Sequence, residues 1–214
     1  MTAADAFLAA YRRPTIVADI DGTLGFLAET FTTALNGHFG TAYVVSEMRD
    51  YRMEDVLPPE QGAWLMALFD QPVTYANVAP DFTGVAAMQA LTDFHLVVAS
   101  DRSADCMAVT RDWLHKWRVP YDDIALGPTA KADLCAAATE DAPVVLFDDN
   151  PEKFSLAGKY VHVYAPQRPW TPETAPDGVT VFDKWGDVLT ALGVNPDVPI
   201  PAFGRTPGPG MEAA

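Results

Sequence analysis

Apolar and polar positions alternate along this chain in two rhythms. Four short apolar runs, at 15–20, 94–100, 143–147 and 160–164, each end in a polar break. Runs of that length and closure predict buried parallel strands. Residues 124–126 suggest a further short one. Between the runs the apolar spacing switches to that of helices. Over 104–117 it puts Met107, Thr110, Trp113, Leu114 and Trp117 on one face. Further helices are predicted at 131–138 and, closed by Gly158, at 152–158. Strands alternating with helices predict an α/β fold with a doubly wound parallel sheet, whose ligands bind beyond the carboxyl ends of the strands.

More than seventy residues separate the first and second runs, too many for a simple crossover. Helical spacing at 26–39, 46–53 and 59–69 predicts a small helical cap at 25–78, and a helix within 80–91 leads back to the sheet. The core is then 1–24 together with 79–194. The last residues, 195–214, hold five prolines and three glycines with little apolar periodicity, which predicts a disordered tail.

Charge narrows the range of partners. The chain carries 29 acidic against 14 basic residues, a net charge of -15. A field of that sign repels a nucleic-acid polymer and requires any anionic substrate to be met by local positive charge or a bound cation. Residues 1–13 lack the basic and apolar regions of a signal peptide, and no apolar stretch is long enough to span a bilayer. A cytoplasmic protein with no membrane partner is expected. Cys106 and Cys135 are far apart in sequence and read as buried thiols. His38, His95, His115 and His162 show no metal-ligand spacing.

The chemistry-bearing residues lie where predicted strands end. In Ile16-Val17-Ala18-Asp19-Ile20-Asp21-Gly22-Thr23 a buried strand runs into two acids one residue apart, followed by a glycine that permits a sharp turn. Acids at i and i+2 leave a strand on the same side. A second strand ends in Asp148-Asp149-Asn150. Carboxylates converging from two strand ends make a hard-cation site suited to Mg²⁺. A third strand ends in Ser100-Asp101-Arg102, a hydroxyl and a guanidinium able to bond phosphate oxygens, and Lys131 opens a helix after Gly127-Pro128-Thr129-Ala130.

These four stretches resemble the four motifs of the haloacid dehalogenase-like phosphohydrolases, over about 15–192. The resemblance implies that Asp19 attacks phosphorus to form an aspartyl-phosphate. It makes Asp21 the acid to the leaving oxygen and then the base to water. Gly22, Thr23, Ser100, Arg102 and Lys131, with Asp21, would hold the phosphoryl group. Asp19, Asp148 or Asp149, and the main-chain carbonyl of Asp21 would bind Mg²⁺. An acid two residues beyond the nucleophile favours phosphoryl transfer over dehalogenation, since a leaving alkoxide needs a proton.

Pro80-Asp81-Phe82-Thr83-Gly84-Val85, Ser100-Asp101-Arg102, Thr110-Arg111-Asp112-Trp113-Leu114, Val145-Leu146-Phe147-Asp148-Asp149-Asn150 and Trp185-Gly186-Asp187-Val188-Leu189 are similar to the 5′(3′)-deoxyribonucleotidase branch. Thr23 stands where that branch often has Val. The cap aromatics Phe26, Phe31, Tyr43, Tyr51, Trp64, Phe69 and Tyr75 are available to stack on a base. A nucleoside monophosphate is therefore the expected partner. The alternatives are a phosphatase of a sugar or other small metabolite and a non-catalytic phosphate- or Mg²⁺-binding module.

Overall fold

A computed structural model describes residues 14–196. The initial segment 1–13 and, apart from its first two residues, the expected disordered tail at 195–214 lie outside the described residues. Strands β1 (Thr15–Ala18), β2 (Leu96–Ser100), β3 (Asp123–Leu126), β4 (Val144–Phe147), β5 (Val161–Pro166) and β6 (Val179–Phe182) form one sheet in the order β3-β2-β1-β4-β5-β6. Every pairing is parallel, so all carboxyl ends share one edge. The central position of β1 explains its unbroken apolar run, because it pairs on both sides and is covered on both faces.

Alternation along β1 divides the core. Ile16 and Ala18 join one apolar cluster, whereas Val17 joins the other with Val97, Leu146 and Val163. The larger cluster lies under helices α1 (Leu27–Phe39), α5 (Phe82–Ala90), α6 (Met107–Trp117) and α8 (Trp185–Ala191). Helix α7 (Ala130–Ala136) and the 3₁₀ segment Pro151–Leu156 contribute Cys135 and Phe154 to the smaller one. On α6 the predicted face faces inward, with Thr110, Trp113 and Leu114 buried.

Between β1 and β2 the chain is helical, with α1, α2 (Met53–Val56), α3 (Pro59–Phe69), α4 (Pro72–Ala76) and α5. The helix predicted at 46–53 is absent. A 3₁₀ turn at Val45–Glu47 gives way to an irregular stretch that buries Met48, and the Asp50 carboxylate takes the amide of Arg52 before α2. The chain leaves and rejoins the sheet side by side: Phe26 N donates to Ala79 O at 2.8 Å and Asp81 N to Leu24 O at 2.8 Å. Trp113 Nε1 fixes this neck by donating to Val78 O at 2.8 Å. Strand β6 and helix α4 were not foreseen. Among the described residues no helix is long and apolar enough to cross a membrane.

Helix α5 begins on Asp81, whose Oδ1 accepts from Thr83 N at 2.9 Å and Gly84 N at 3.2 Å. Its Oδ2 accepts from Trp185 Nε1 at 3.3 Å, tying α5 to α8. Asp81→Ala removes a cap and strands an indole N–H, a loss of roughly 1–3 kcal/mol. Urea denaturation is expected to show a lower midpoint with an unchanged slope.

Candidate active site

Register brings the acids together. Ala18 pairs with Phe147, so Asp19 and Asp148 leave adjacent strands side by side, and Asp19 N donates to Phe147 O at 2.9 Å. Asp148 N donates to Tyr164 O at 3.1 Å, continuing the sheet by one residue. One oxygen from each of Asp19, Asp148 and Asp149 lies within 4.8 Å of the others, and all three side chains are buried. Lys131, on the first turn of α7, places Nζ 2.8 Å from Asp19 Oδ1 and 2.7 Å from Asp148 Oδ2. Its own burial is nearly complete at 2% exposure.

Burial raises the Asp19 pKa well above its ordinary value; Lys131 opposes the rise, while Asp148, Asp149 and Asp21 add to it. Burial and the neighbouring Asp148 push Asp149 up to about 7, against Lys131 and Arg168. Burial disfavours the Lys131 charge, but Asp19 and Asp148 outweigh it and hold the ammonium above its usual value. When all three are ionised, the carboxylates carry two more negative charges than the one ammonium offsets. An all-oxygen donor set with that deficit could hold a divalent metal ion.

The turn after β1 is shaped by Gly22, with φ +95°. A Cβ there would stand 2.2 Å from Asp149 Oδ2, so glycine is required both for the conformation and for the approach of the acid. Gly22 N donates to Gly25 O at 2.8 Å, within the turn. Thr23 is fully buried and donates its hydroxyl to Asp149 Oδ1 at 3.3 Å. In this structure it braces an acid and does not line the cavity. Asn150 accepts from Glu152 N at 2.9 Å and caps the next 3₁₀ segment.

Asp21 stands apart from the acid cluster. Its Oδ2 accepts from Arg102 Nε at 2.7 Å and from Ser100 Oγ at 3.2 Å, and its Oδ1 accepts from Arg102 Nη2 at 2.6 Å. The Arg102 guanidinium, expected on a phosphate, is thus engaged bidentately by Asp21, with Nη1 donating to Thr110 Oγ1 at 3.1 Å. Ser100, also expected on phosphate, is buried and faces the same carboxylate.

A cavity of about 470 Å³ opens above these groups. Asp19, Asp21, Gly22, Ser100, Arg102, Lys131 and Asp149 reach it from the sheet edge. Phe31, Tyr51, Phe69 and Tyr75 reach it from the helical segment, whereas Tyr43 and Trp64 pack elsewhere in that segment. Burial, with Asp149, Asp19 and Asp148 nearby, raises the Tyr51 phenol far above its usual value and keeps it protonated. At the mouth Arg52 pairs with Glu152 at 2.7 Å, both half exposed.

Two participants escaped sequence reasoning. Trp170 lines the cavity and donates Nε1 to Asp149 Oδ2 at 3.1 Å, and Arg168 Nε donates to Gly22 O at 2.7 Å. Both lie in the loop just past β5. The rule that ligands sit at the carboxyl ends of strands pointed to that loop, but its residues carry no local motif.

The comparisons fit this architecture. A hydrolase of the haloacid dehalogenase-like family from Streptococcus pneumoniae is 13% identical, with 85% of this chain and 98% of that one covered, at a TM-score of 0.57. The L-2-haloacid dehalogenase from Xanthobacter autotrophicus, with chloropropionic acid covalently bound, is 11% identical over 84% and 98% at 0.55. A subfamily IA hydrolase of the same superfamily from Geobacter sulfurreducens is 13% identical over 84% and 99% at 0.51. The chain has the haloacid dehalogenase-like fold. No family model and no curated protein matches it.

Within this fold the acid cluster sets a pH dependence. Asp149 has a folded-state pKa near 7, above its unfolded value of 3.8. The stability this confers is therefore full below the unfolded value and is lost as pH rises through the folded one. In EDTA the protein is expected to melt lower at about pH 8 than at about pH 5. Asp149→Asn narrows that gap and weakens protection by added divalent metal, both read from melting curves.

Proposed function

We propose that the protein is a Mg²⁺-dependent phosphomonoesterase that passes the phosphoryl group through Asp19 and acts on nucleoside monophosphates. The observation that carries this reading is Asp21, a second carboxylate at the cavity wall two residues from Asp19. Displacing a halide from carbon calls for no proton donor at that place, whereas expelling an alkoxide from phosphorus does. Asp19 Oδ attacks phosphorus, the bond to the leaving oxygen breaks, and Asp21 supplies the proton to that oxygen. Water then attacks phosphorus, gives its proton to Asp21, and releases phosphate from Asp19.

Lys131 touches Asp19 and Asp148 and offers its ammonium to the phosphoryl oxygens while restraining the nucleophile. The hydroxyl of Ser100 stands at the same edge. Asp19, Asp148 and Asp149 would hold Mg²⁺, which when bound supplies positive charge to the phosphoryl oxygens. Thr23, Trp170 and the turn at Gly22 hold Asp149 in place for that duty.

The segment 25–78 serves as a cap, with its neck at the Gly25–Pro80 bridge. Phe31, Tyr51, Phe69 and Tyr75, joined by Trp170 from the core, give the cavity flat apolar walls. Such walls suit a nucleobase, and stacking on one aromatic contributes roughly 1–3 kcal/mol. Arg52, the cap's cation at the mouth, is paired with Glu152, which disfavours substrates with long polyphosphate chains.

Phosphate release is the test, with dUMP, dTMP, AMP, glucose 6-phosphate and ATP as substrates and 2-chloropropionate as the halide control. With Mg²⁺, kcat/KM is expected to be highest for a nucleoside monophosphate and negligible for ATP, and EDTA abolishes turnover. A sugar phosphate ahead by about tenfold removes the nucleotide assignment but keeps the reaction class. Release of chloride without phosphatase activity removes the class.

A further inference from the structure

The proposed reaction moves a proton through Asp21 in both halves, and the structure fixes where that carboxylate points. Both carboxylate oxygens are taken by one guanidinium, at 2.6 and 2.7 Å, and the geometry is the paired fork that Arg makes with an ionised carboxylate. The guanidinium is itself held on two further sides, and the arginine backbone is tied as well. Thr110, fully buried on α6, accepts from Nη1 at 3.1 Å. The Tyr75 ring, from α4, lies 4.3 Å from the guanidinium carbon. Arg102 N donates to Ser100 Oγ at 3.3 Å, linking the backbone of the arginine to the hydroxyl that also binds Asp21.

At 4% exposure Arg102 is poorly placed to swing out to a substrate. The fork fixes both Asp21 oxygens in one plane at the cavity wall. Resting on the function proposed above, we infer that Arg102 is a positioning residue that aims the Asp21 carboxylate for its proton transfer in the second half-reaction. In that step the water oxygen forms a bond to phosphorus and the bond from phosphorus to Asp19 Oδ breaks. The water proton passes to an Asp21 oxygen, which gives up one of its bonds to Arg102, and Asp19 leaves as carboxylate. The proton gained is the one Asp21 donates in the next turnover. Tyr75 excludes water from the guanidinium face, so the hold on Asp21 also depends on the seating of α4.

The experiment compares the parent protein with Arg102→Lys on p-nitrophenyl phosphate in Mg²⁺. This ester's leaving group departs without a proton, so only the second half-reaction depends on Asp21. Lysine keeps the charge but loses the fork. Arg102→Lys is expected to lower kcat by at least about tenfold and KM in proportion, leaving kcat/KM within about threefold. Rapid mixing should show a burst of p-nitrophenol approaching one equivalent as phosphoenzyme accumulates. Thr110→Val, which removes only the bracing acceptor, should move kcat and KM the same way by less. Combining Arg102→Lys with Asp21→Asn should slow the second step no further than Asp21→Asn alone.

A raised KM with unchanged kcat would make Arg102 a phosphate ligand and overturn the inference. An equal loss of kcat and kcat/KM with no burst, in a variant that melts like the parent, would also overturn it by reducing Arg102 to a structural role. A parent protein that releases no p-nitrophenol removes the proposed function first and this role with it.

Discussion

Lys131 lies within 2.8 Å of Asp19 and 2.7 Å of Asp148, under a cavity floor that Asp149 shares. Three buried acids at one sheet edge repel one another and resist ionisation, and a single ammonium offsets only part of that cost. The parallel sheet produces the crowding, since β1 and β4 are neighbours in register and each continues directly into its acids. Helix α7 supplies the cation from the opposite side. The remaining negative charge makes the edge a place that could hold a divalent ion.

The second cation separates two acids that are nearly adjacent in sequence. Asp19 faces Lys131 and the cluster, whereas Asp21 faces Arg102 and Ser100. Environments that differ this way assign different chemistry to like groups. The helical segment between β1 and β2 takes part on both sides, with Tyr51 near the cluster and Tyr75 on Arg102. In the proposed reaction, substrate choice and proton transfer would share these walls.

The central strands were legible in the sequence because burial on two faces writes an unbroken apolar run. The edge strand β3 gave only a trace, and β6 none, because Val179–Phe182 is buried at its ends and half-buried between them. Helix α4 is five residues long and opens on proline, too short to show a period. The stretch 46–53 has helical apolar spacing, yet Met48 is buried from an irregular backbone, which a period alone cannot distinguish. Asp19, Asp148, Asp149 and Lys131 were readable from strand ends and a helix start. That Arg102 and Thr23 bind acids was not, because hydrogen-bond partners 81 and 126 residues away are set by the assembled sheet edge. Trp170 and Arg168 were missed for the same reason.

In the proposed reaction Asp19 becomes phosphorylated. An acyl phosphate is reduced by borohydride to an alcohol, which would convert Asp19 to homoserine during turnover. Acid-quenched enzyme, treated with borohydride after exposure to substrate and Mg²⁺, is to be digested and mapped by mass spectrometry. Homoserine at position 19, dependent on substrate and missing in Asp19→Asn, is the expected result. Steady phosphate release with position 19 unmodified, or with the reduced residue at Asp21, Asp148 or Asp149, would contradict the account.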